Sequence, residues 1–466
     1  MKTKITILIL LCLAGITMKA QIPQLWGLTY NCGINNSGSI IKINEDGTGF
    51  QTLYSFDTLT GIMPTGNLLM ASDGKLYGLL YYGGTDTTHH SGQSSAAGSG
   101  VLFSYDPVYN TYNDLYNFDK VHGLYPTGSL IQLSSGKLYG STYLGGIDTS
   151  GVIFSYNPAT NVYSDLYEFQ NKSTGTNPKG SLVQANNSKL YGVTYSGGDT
   201  SFIHPGGGTI YCFDPTTNTC SDVYNFNKLT GWAPKGNLIQ GNDGKLYGTT
   251  SYGGDTVGFS AGKGVIFSFD PTTNSYTDLY NETSLSNFSS LIQATNGKLY
   301  GTTDAGKIFS FDIGNNTLSY IYNSTFLTYG SLLQGGNGKI FGTTNYTIFS
   351  IDSLGSNVSS WNVLHCIMNG AFIELPADTG IPEAQKNDSK VLVFPNPSSN
   401  NITISNQSGI RNYELRITDV LGNTVYHQAP STSTQSTIDL SRWSKGIYLV
   451  HLQSDKESLV KRVVVE

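Results

Sequence analysis

Strand-forming runs of five to seven residues, parted by turn signals, fill the chain from about residue 24 to 376 and recur in a fixed order of four kinds. We label them a to d. Run a reads Gly-Ser-Leu-Ile-Gln at 128–132, with relatives starting at Gly66, Gly180, Gly236, Ser289, Gly330 and Gly370. A turn such as Asn242-Asp243-Gly244 follows it, and glycine after Asn or Asp is the strongest hairpin signal a sequence offers. Run b is Lys-Leu-Tyr-Gly-Thr-Thr-Tyr or a variant, with a double glycine after it in four repeats. Its interior glycine is expected to let a neighbouring repeat approach closely. Run c, Val-Ile-Phe-Ser-Tyr at 152–156, stops at Asp-Pro or Asn-Pro in repeats 2 to 5, because proline has no N–H to give a ladder. Run d, Tyr-Ser-Asp-Leu-Tyr at 163–167, completes the unit.

The glycine of the Leu-Tyr-Gly core in run b falls at Gly27, Gly78, Gly140, Gly192, Gly248, Gly301 and Gly342, at spacings of 51, 62, 52, 56, 53 and 41. Periods near 40 to 50 belong to propeller blades. Each kind of run occurs seven times, but the series opens on run b at 25–30 and closes on a lone run a at 370–375. Pairing those two would complete the first unit and hide the edges that an open array exposes. The expected fold is all-β: a seven-bladed β-propeller over 21–376, a linker at 377–390 and a small Ig-like β-sandwich over 391–466.

The core at 246–254, with Gly236-Asn237-Leu238 before it and Gly264-Val265-Ile266-Phe267 after it, resembles the GloVer-type tandem repeats of secreted bacterial proteins that carry varied C-terminal anchors. A kelch repeat also pairs a double glycine with run b, but it expects a tryptophan in run d, where only the last unit has one, Trp361. Near the C-terminus, Phe394-Pro395-Asn396-Pro397, the run from Asp419 to Asn423, Gly446-Ile447-Tyr448 and Lys461-Arg462 before three valines resemble the type A sorting domain of the type IX secretion system. That resemblance implies export through the type IX machinery, processing by its sortase, and release or attachment to surface lipopolysaccharide. It assigns these residues to the sorting signal.

Lys2, Lys4, an apolar run at 5–16 and Met18-Lys19-Ala20 predict a cleaved signal peptide at 1–20, hence Sec export. Leu11 stands before Cys12 where lipid attachment needs a small residue. No later run is apolar over eighteen residues, so the mature chain is expected to lack a transmembrane segment. The net charge of −6 conceals a split, because residues 21–385 carry −11 and all their basic residues are lysines. An acidic body without arginine argues against nucleic acid and against sialic-acid-like ligands. Cys212 and Cys220 flank the Asp-Pro turn of unit 4 and are candidates for a cross-strand disulfide; Cys32 and Cys366 are a second pair.

In a propeller the b-to-c and d-to-a loops share one face. Here that face carries the long insertions, at 83–99, 197–207 and 253–263, and Gly-x-x-Pro loops that present Met63, Tyr125, Asn177 and Trp232. Tyr125, Trp232, Phe202 and Phe259 are the candidate platforms for a sugar ring or a protein loop, with His204 among them. Asp86, Asp148, Asp199 and Asp255 recur after the double glycine, where they would hold calcium or cap turns. The loop histidines have no metal-ligand spacing, so no metal or other cofactor is assigned. The fifth place of run a is Gln132, Gln184, Gln240, Gln293 and Gln334, with Met70 and Glu374 in the other two units. Amides bonding between blades or to water are expected there. A lone carboxylate lacks the partner that glycoside hydrolysis needs, and no Gly-x-Ser-x-Gly, P-loop or His-Glu-x-x-His occurs, so no catalytic residue is named. Three functions fit: non-catalytic binding of a glycan or protein, a polysaccharide hydrolase or lyase with acids on the loops, and a structural surface-layer element.

Overall fold

A computed structural model describes residues 22–85, 98–170, 175–198, 206–254, 263–282, 288–324, 330–344, 347–362, 370–375, 391–394, 401–406, 413–419, 424–431, 435–441, 443–444, 446–453 and 458–465. The segments assigned to the signal peptide and the linker lie outside them. Residues Ile22–Ala377 form one compact unit, and Asp378–Glu466 belong to a second.

Among the described residues the first unit contains seven antiparallel sheets, because each hairpin turn returns the chain beside the strand it has just left. Sheet 3 shows the pattern, with Leu124–Gln132, Leu138–Leu144, Val152–Asn157 and Val162–Glu168 in spatial order a to d. Sheet 1 breaks chain order. Its strand a is Ile373–Leu375, which pairs with Gln24–Thr29 so that Glu374 faces Leu25 and Ile373 faces Trp26.

Two expectations are corrected. Strand a begins earlier than run a, as in Ile62–Met70, Leu124–Gln132 and Thr176–Gln184, so Gly-x-x-Pro starts a strand rather than sitting in a loop. A bulge between Thr127 and Ile131, where Gly128 takes φ 70°, separates its two halves. The glycine inside strand b serves its own sheet, not a neighbouring one: Gly140 lies opposite Phe154, and a Cβ there would stand 2.6 Å from the ring.

At the bulge, successive a strands touch through their backbones. A Cβ on Gly66 would strike the carbonyl of Gly128, one on Gly128 that of Gly180, and one on Gly370 that of Gly66. Hydrogen bonds follow the same path. The Ala371 amide donates to Asn67 Oδ1 (2.6 Å), Asn67 to Ser129 Oγ (2.7 Å), Ser129 to Ser181 Oγ (2.7 Å), Ser181 to Asn237 Oδ1 (2.7 Å) and Asn237 to Ser290 Oγ (3.4 Å). At the other end of strand a the glutamines bond between sheets. Gln132 donates to Gly136 O in its own turn (2.9 Å) and accepts from the Ser72 amide of the sheet before (2.8 Å). Glu374 accepts from the Gly336 amide in the same way (2.7 Å), so this carboxylate joins sheet 7 to sheet 1.

Apolar clusters fill the spaces between consecutive sheets. A further cluster packs Leu25, Ile41, Ile43 and Phe372 of sheet 1 on Phe341 and Ile348 of sheet 7. Strand d adds stacked tyrosines, Tyr54 on Tyr112 (4.4 Å), Tyr116 on Tyr163 (3.7 Å) and Tyr224 on Tyr276 (4.1 Å). Tyr112, Tyr163 and Tyr276 each donate their hydroxyl to a carbonyl of the preceding sheet's d-to-a corner.

Cys220 holds the equivalent place in sheet 4, and its expected bridge to Cys212 is absent. Both thiols are free. The register sets Cys212 opposite Ser221 and Cys220 opposite Phe213, so strand alternation turns the thiols to opposite faces. Cys212 enters the core between sheets 4 and 5, and Cys220 packs between sheets 3 and 4. Cys32 is disulfide-bonded; Cys366 lies outside the described residues.

The second unit has two sheets, one of Val391–Phe394, Asn401–Asn406 and Gln435–Asp439, the other of Thr424–Ser431, Tyr413–Asp419, Gly446–Gln453 and Ser458–Val465. Ile402, Ile404 and Ile438 of the first share a core with Leu415, Ile417, Val450 and Leu452 of the second.

Candidate functional site

Each double glycine makes a neck. Gly83 and Gly84 take φ 85° and 89°, and a Cβ on Gly83 would stand 2.6 Å from the Cα of Gly61, so the b-to-c loop crosses tightly over the d-to-a corner. The insertions leave and return through bridges from Gly83 to Ser99 and from Gly253 to Lys263, and through the Gly208 amide donating to Gly197 O (3.0 Å). The last residue of strand d braces these necks. The Thr85 amide donates to Asn117 Oδ1 (2.8 Å), and the Ile147 amide to Glu168 Oε2 (2.7 Å). The recurrence of Asn117, Glu168, Asn225 and Asn281 at that place is visible in the sequence.

In the same sheets and in sheet 1, the ends of the a and b strands form a continuous aromatic arc. Tyr30 donates its hydroxyl to Met63 Sδ (3.1 Å). Tyr125 stacks on Tyr81 with centroids 5.0 Å apart and meets Tyr82 edge-on at 5.1 Å. Burial, and then the neighbouring Tyr82, Tyr143, Tyr125 and Tyr30, raise the Tyr81 phenol above its ordinary range. The arc continues with lysines set between rings. Lys179 Nζ stands 5.3 Å from the Tyr143 centroid and 5.2 Å from that of Tyr195, and Lys235 Nζ stands 5.8 Å from Tyr195 and 5.8 Å from Tyr252. Trp232 ends it, stacked on Tyr252 at 4.5 Å.

Of the expected platforms, Tyr125 and Trp232 both join this arc, from different places in Gly-x-x-Pro. Tyr125 precedes the proline with φ 57° and reaches the sheet before, whereas Trp232 lies one residue earlier, opposite Tyr252 of its own sheet. Asp148 is exposed on the short loop of sheet 3. Phe202, His204, Phe259, Asp86, Asp199 and Asp255 lie outside the described residues. His122 is bound through Nδ1 to Asp119 (2.8 Å), which raises its pKa. Among the described residues, no three His, Cys, Asp or Glu side chains are gathered as metal ligands. In the second unit Tyr448 is buried and donates its hydroxyl to Ser444 O (2.8 Å), while Gly446 begins its strand and Lys461 and Arg462 lie on the last, edge strand. Phe394 ends the strand Val391–Phe394, and Pro395, Asn396 and Pro397 are outside the described residues.

Residues 14–201 and 86–310 match the Gloeobacter/Verrucomicrobia repeat, and residues 392–466 match a secretion system C-terminal sorting domain. No curated protein matches the chain. Among solved structures it is similar to PorZ, a surface component of the type IX secretion system of Porphyromonas gingivalis, at 12% identity and TM-score 0.45, covering 95% of this chain. The chain spans 58% of the length of PorZ. It is also similar to a protein of Bacteroides uniformis named as a 6-phosphogluconolactonase, at 14% identity and TM-score 0.54, over 77% of this chain and 100% of the other. Virginiamycin B lyase from Staphylococcus aureus matches at 14% identity and TM-score 0.44, over 74% of this chain and 96% of the lyase.

Proposed function

Since the chain belongs to the Gloeobacter/Verrucomicrobia repeat family and ends in a sorting domain that directs secretion or display on the outer surface, we propose that it is a seven-bladed β-propeller that binds a glycan or an extracellular protein without catalysis. The blade number is supported by the pairing of Ile373–Leu375 with Gln24–Thr29 and by the apolar cluster between sheets 7 and 1. The C-terminal module reads as an Ig-like sandwich carrying the type IX signal. Its two sheets around one core support this.

The observation that carries the binding role is the aromatic arc at the mouth of the loop-bearing face. Stacked tyrosine and tryptophan rings offer rigid apolar area with polar tips, suited to sugar rings or protein loops. A glycan array probed with the mature chain, with and without calcium, tests the reading. Selective binding lost in Trp232→Ala supports it. Release of product from a bound polysaccharide would replace it with a hydrolase or lyase, and dependence on calcium would bring the loop aspartates into the site.

A further inference from the structure

We infer that the arc takes an acidic sugar, whose carboxylate or sulfate lies between Lys179 and Lys235 while its ring rests on the flanking aromatics. The inference deepens the binding role just proposed and rests on it.

The first argument is what the lysines replace. They follow Pro178 and Pro234 in strand a, where sheets 2 and 3 have Thr65 and Thr127 after Pro64 and Pro126. Those threonines do structural work: Thr65 Oγ1 donates to Pro126 O (3.1 Å) and Thr127 Oγ1 to Pro178 O (3.2 Å), each tying its sheet to the next. A lysine at this place gives up that bond and sends an ammonium into the mouth. Two adjacent sheets make this exchange, and their cations share Tyr195.

The second argument is electrostatic. The ion pairs among the described residues use Lys189, Lys298, His122 and His427, and leave Lys179 and Lys235 without a carboxylate. Burial, and after it the charge of Lys235, lower the pKa of Lys179. The tyrosine faces offset part of the cost of holding the half-buried Lys179 ammonium out of water, while Lys235 stands exposed beside it. An anion seated between them would offset more at Lys179 and would also relieve its repulsion by Lys235. Lysine suits such a role as a compact point charge that imposes no planar fork, so it accepts a carboxylate or a tetrahedral sulfate equally. The acidity of the body as a whole argues against such ligands, but among the described residues the charge that acts on Lys179 is the like charge of Lys235.

Titration calorimetry on the mature full chain, with oligogalacturonate, chondroitin sulfate oligosaccharides and neutral xylo-oligosaccharides, tests the inference. An acidic sugar should bind at least about tenfold more tightly than the neutral one, about 1.4 kcal/mol, with affinity falling as salt is raised. Whichever acidic arm binds identifies the oxyanion as carboxylate or sulfate. The double variant Lys179→Gln, Lys235→Gln should lose that advantage while melting within about 2 °C of the wild type, since each lysine gives up a ring contact together with a charge that no carboxylate pairs among the described residues. Undiminished binding of the acidic sugar by the double variant overturns the inference, as does a neutral sugar bound equally well. In that last case, loss of binding in Trp232→Ala would keep the glycan-binding face and remove only its acidic class. If no sugar binds, the inference is overturned, while an extracellular protein captured on the same face would preserve the broader reading.

Discussion

Phe372→Ala is the sharpest test of how the body closes on itself. Phe372 is 2% exposed and packs with Leu25, Ile41 and Ile43 of its own sheet and Phe341 and Ile348 of sheet 7, although it stands near the end of the repeat series. It has the place in strand a that Leu68, Leu130, Leu182, Leu238, Leu291 and Leu332 have in the other sheets, all of them buried. Truncating a buried phenylalanine removes its transfer free energy and leaves a cavity, about 3–5 kcal/mol together. At an unfolding entropy of about 2 cal/mol/K per residue, a body of this size should lose about 4–7 °C of melting temperature. Differential scanning calorimetry reads that shift, with Leu130→Ala as the control inside the series. A stop before Gly370 should destabilise further or aggregate, while a stop after residue 385 should leave the transition in place. If Phe372→Ala costs under about 0.5 kcal/mol while Leu130→Ala costs the usual 2–5, or if the two truncations melt together, the closing strand is an appendage and the argument fails.

Asp222 gives a pH test. Burial pushes its carboxyl up to about 7, with Thr209 Oγ1 at 3.3 Å as a hydrogen-bond donor, so between about 3.8 and 7 the folded protein retains a proton that the unfolded chain releases. Stability is therefore lost as pH rises through that window; Asp222→Asn should match the wild type in acid and melt higher at about pH 8, and parallel melting curves would refute the shift. Cys220→Tyr should restore the missing outer stack on Tyr167, beside a recess of about 320 Å³ lined by Asp165, Leu166 and Tyr167, and raise stability by about 0.5–1.5 kcal/mol; a lowered transition would mean that the site is already full. Removing residues 386–466 should leave a folded body held in the periplasm of a host with type IX secretion, and efficient export of the truncated chain would sink the role of the tail.

Strand positions were legible where local chemistry alone determines them. The Asn-Gly and Asp-Gly turns, the Asp-Pro stops and the alternation of runs b and c fixed those strands to within a residue or two, and the odd order at the ends pointed to the pairing of 370–375 with 25–30. Features that depend on register were not legible. Counting from the Asp-Pro turn set Cys212 against Cys220, but one residue of offset puts Phe213 in that place and sends the thiols to opposite faces. Gly-x-x-Pro looked like loop because glycine and proline usually are, whereas Met63, Tyr125 and Asn177 take positive φ within a bulged strand. The site was half legible: Tyr125 and Trp232 stand out as loop aromatics, but Tyr81, Tyr143, Tyr195 and Tyr252 sit in strand b among many strand tyrosines, and nothing in the local sequence marks Lys179 and Lys235. Only the ring of sheets brings residues some fifty positions apart into contact, and no local pattern encodes that.

The relay of amides along the a strands bears on how long the protein survives outside the cell. All five bonds run in one sense, from the amide of one sheet to the side chain of the next, so a sheet that swings out strands a donor behind it and an acceptor ahead of it. Linear repeat arrays fray from their ends because an end unit has only one neighbour. Here the five bonds join sheets 1 to 6, so the relay lapses on both sides of sheet 7: it stops at Ser290, and Ala371, which gives an amide to Asn67, has no side-chain oxygen to receive one from sheet 7. Hydrogen exchange should therefore be fastest, within the a strands, around sheet 7 and at the 370–375 seam that follows it. A secreted protein beyond the reach of chaperones lasts as long as its slowest opening step allows, and that clock is set where sheet 7 meets its two neighbours.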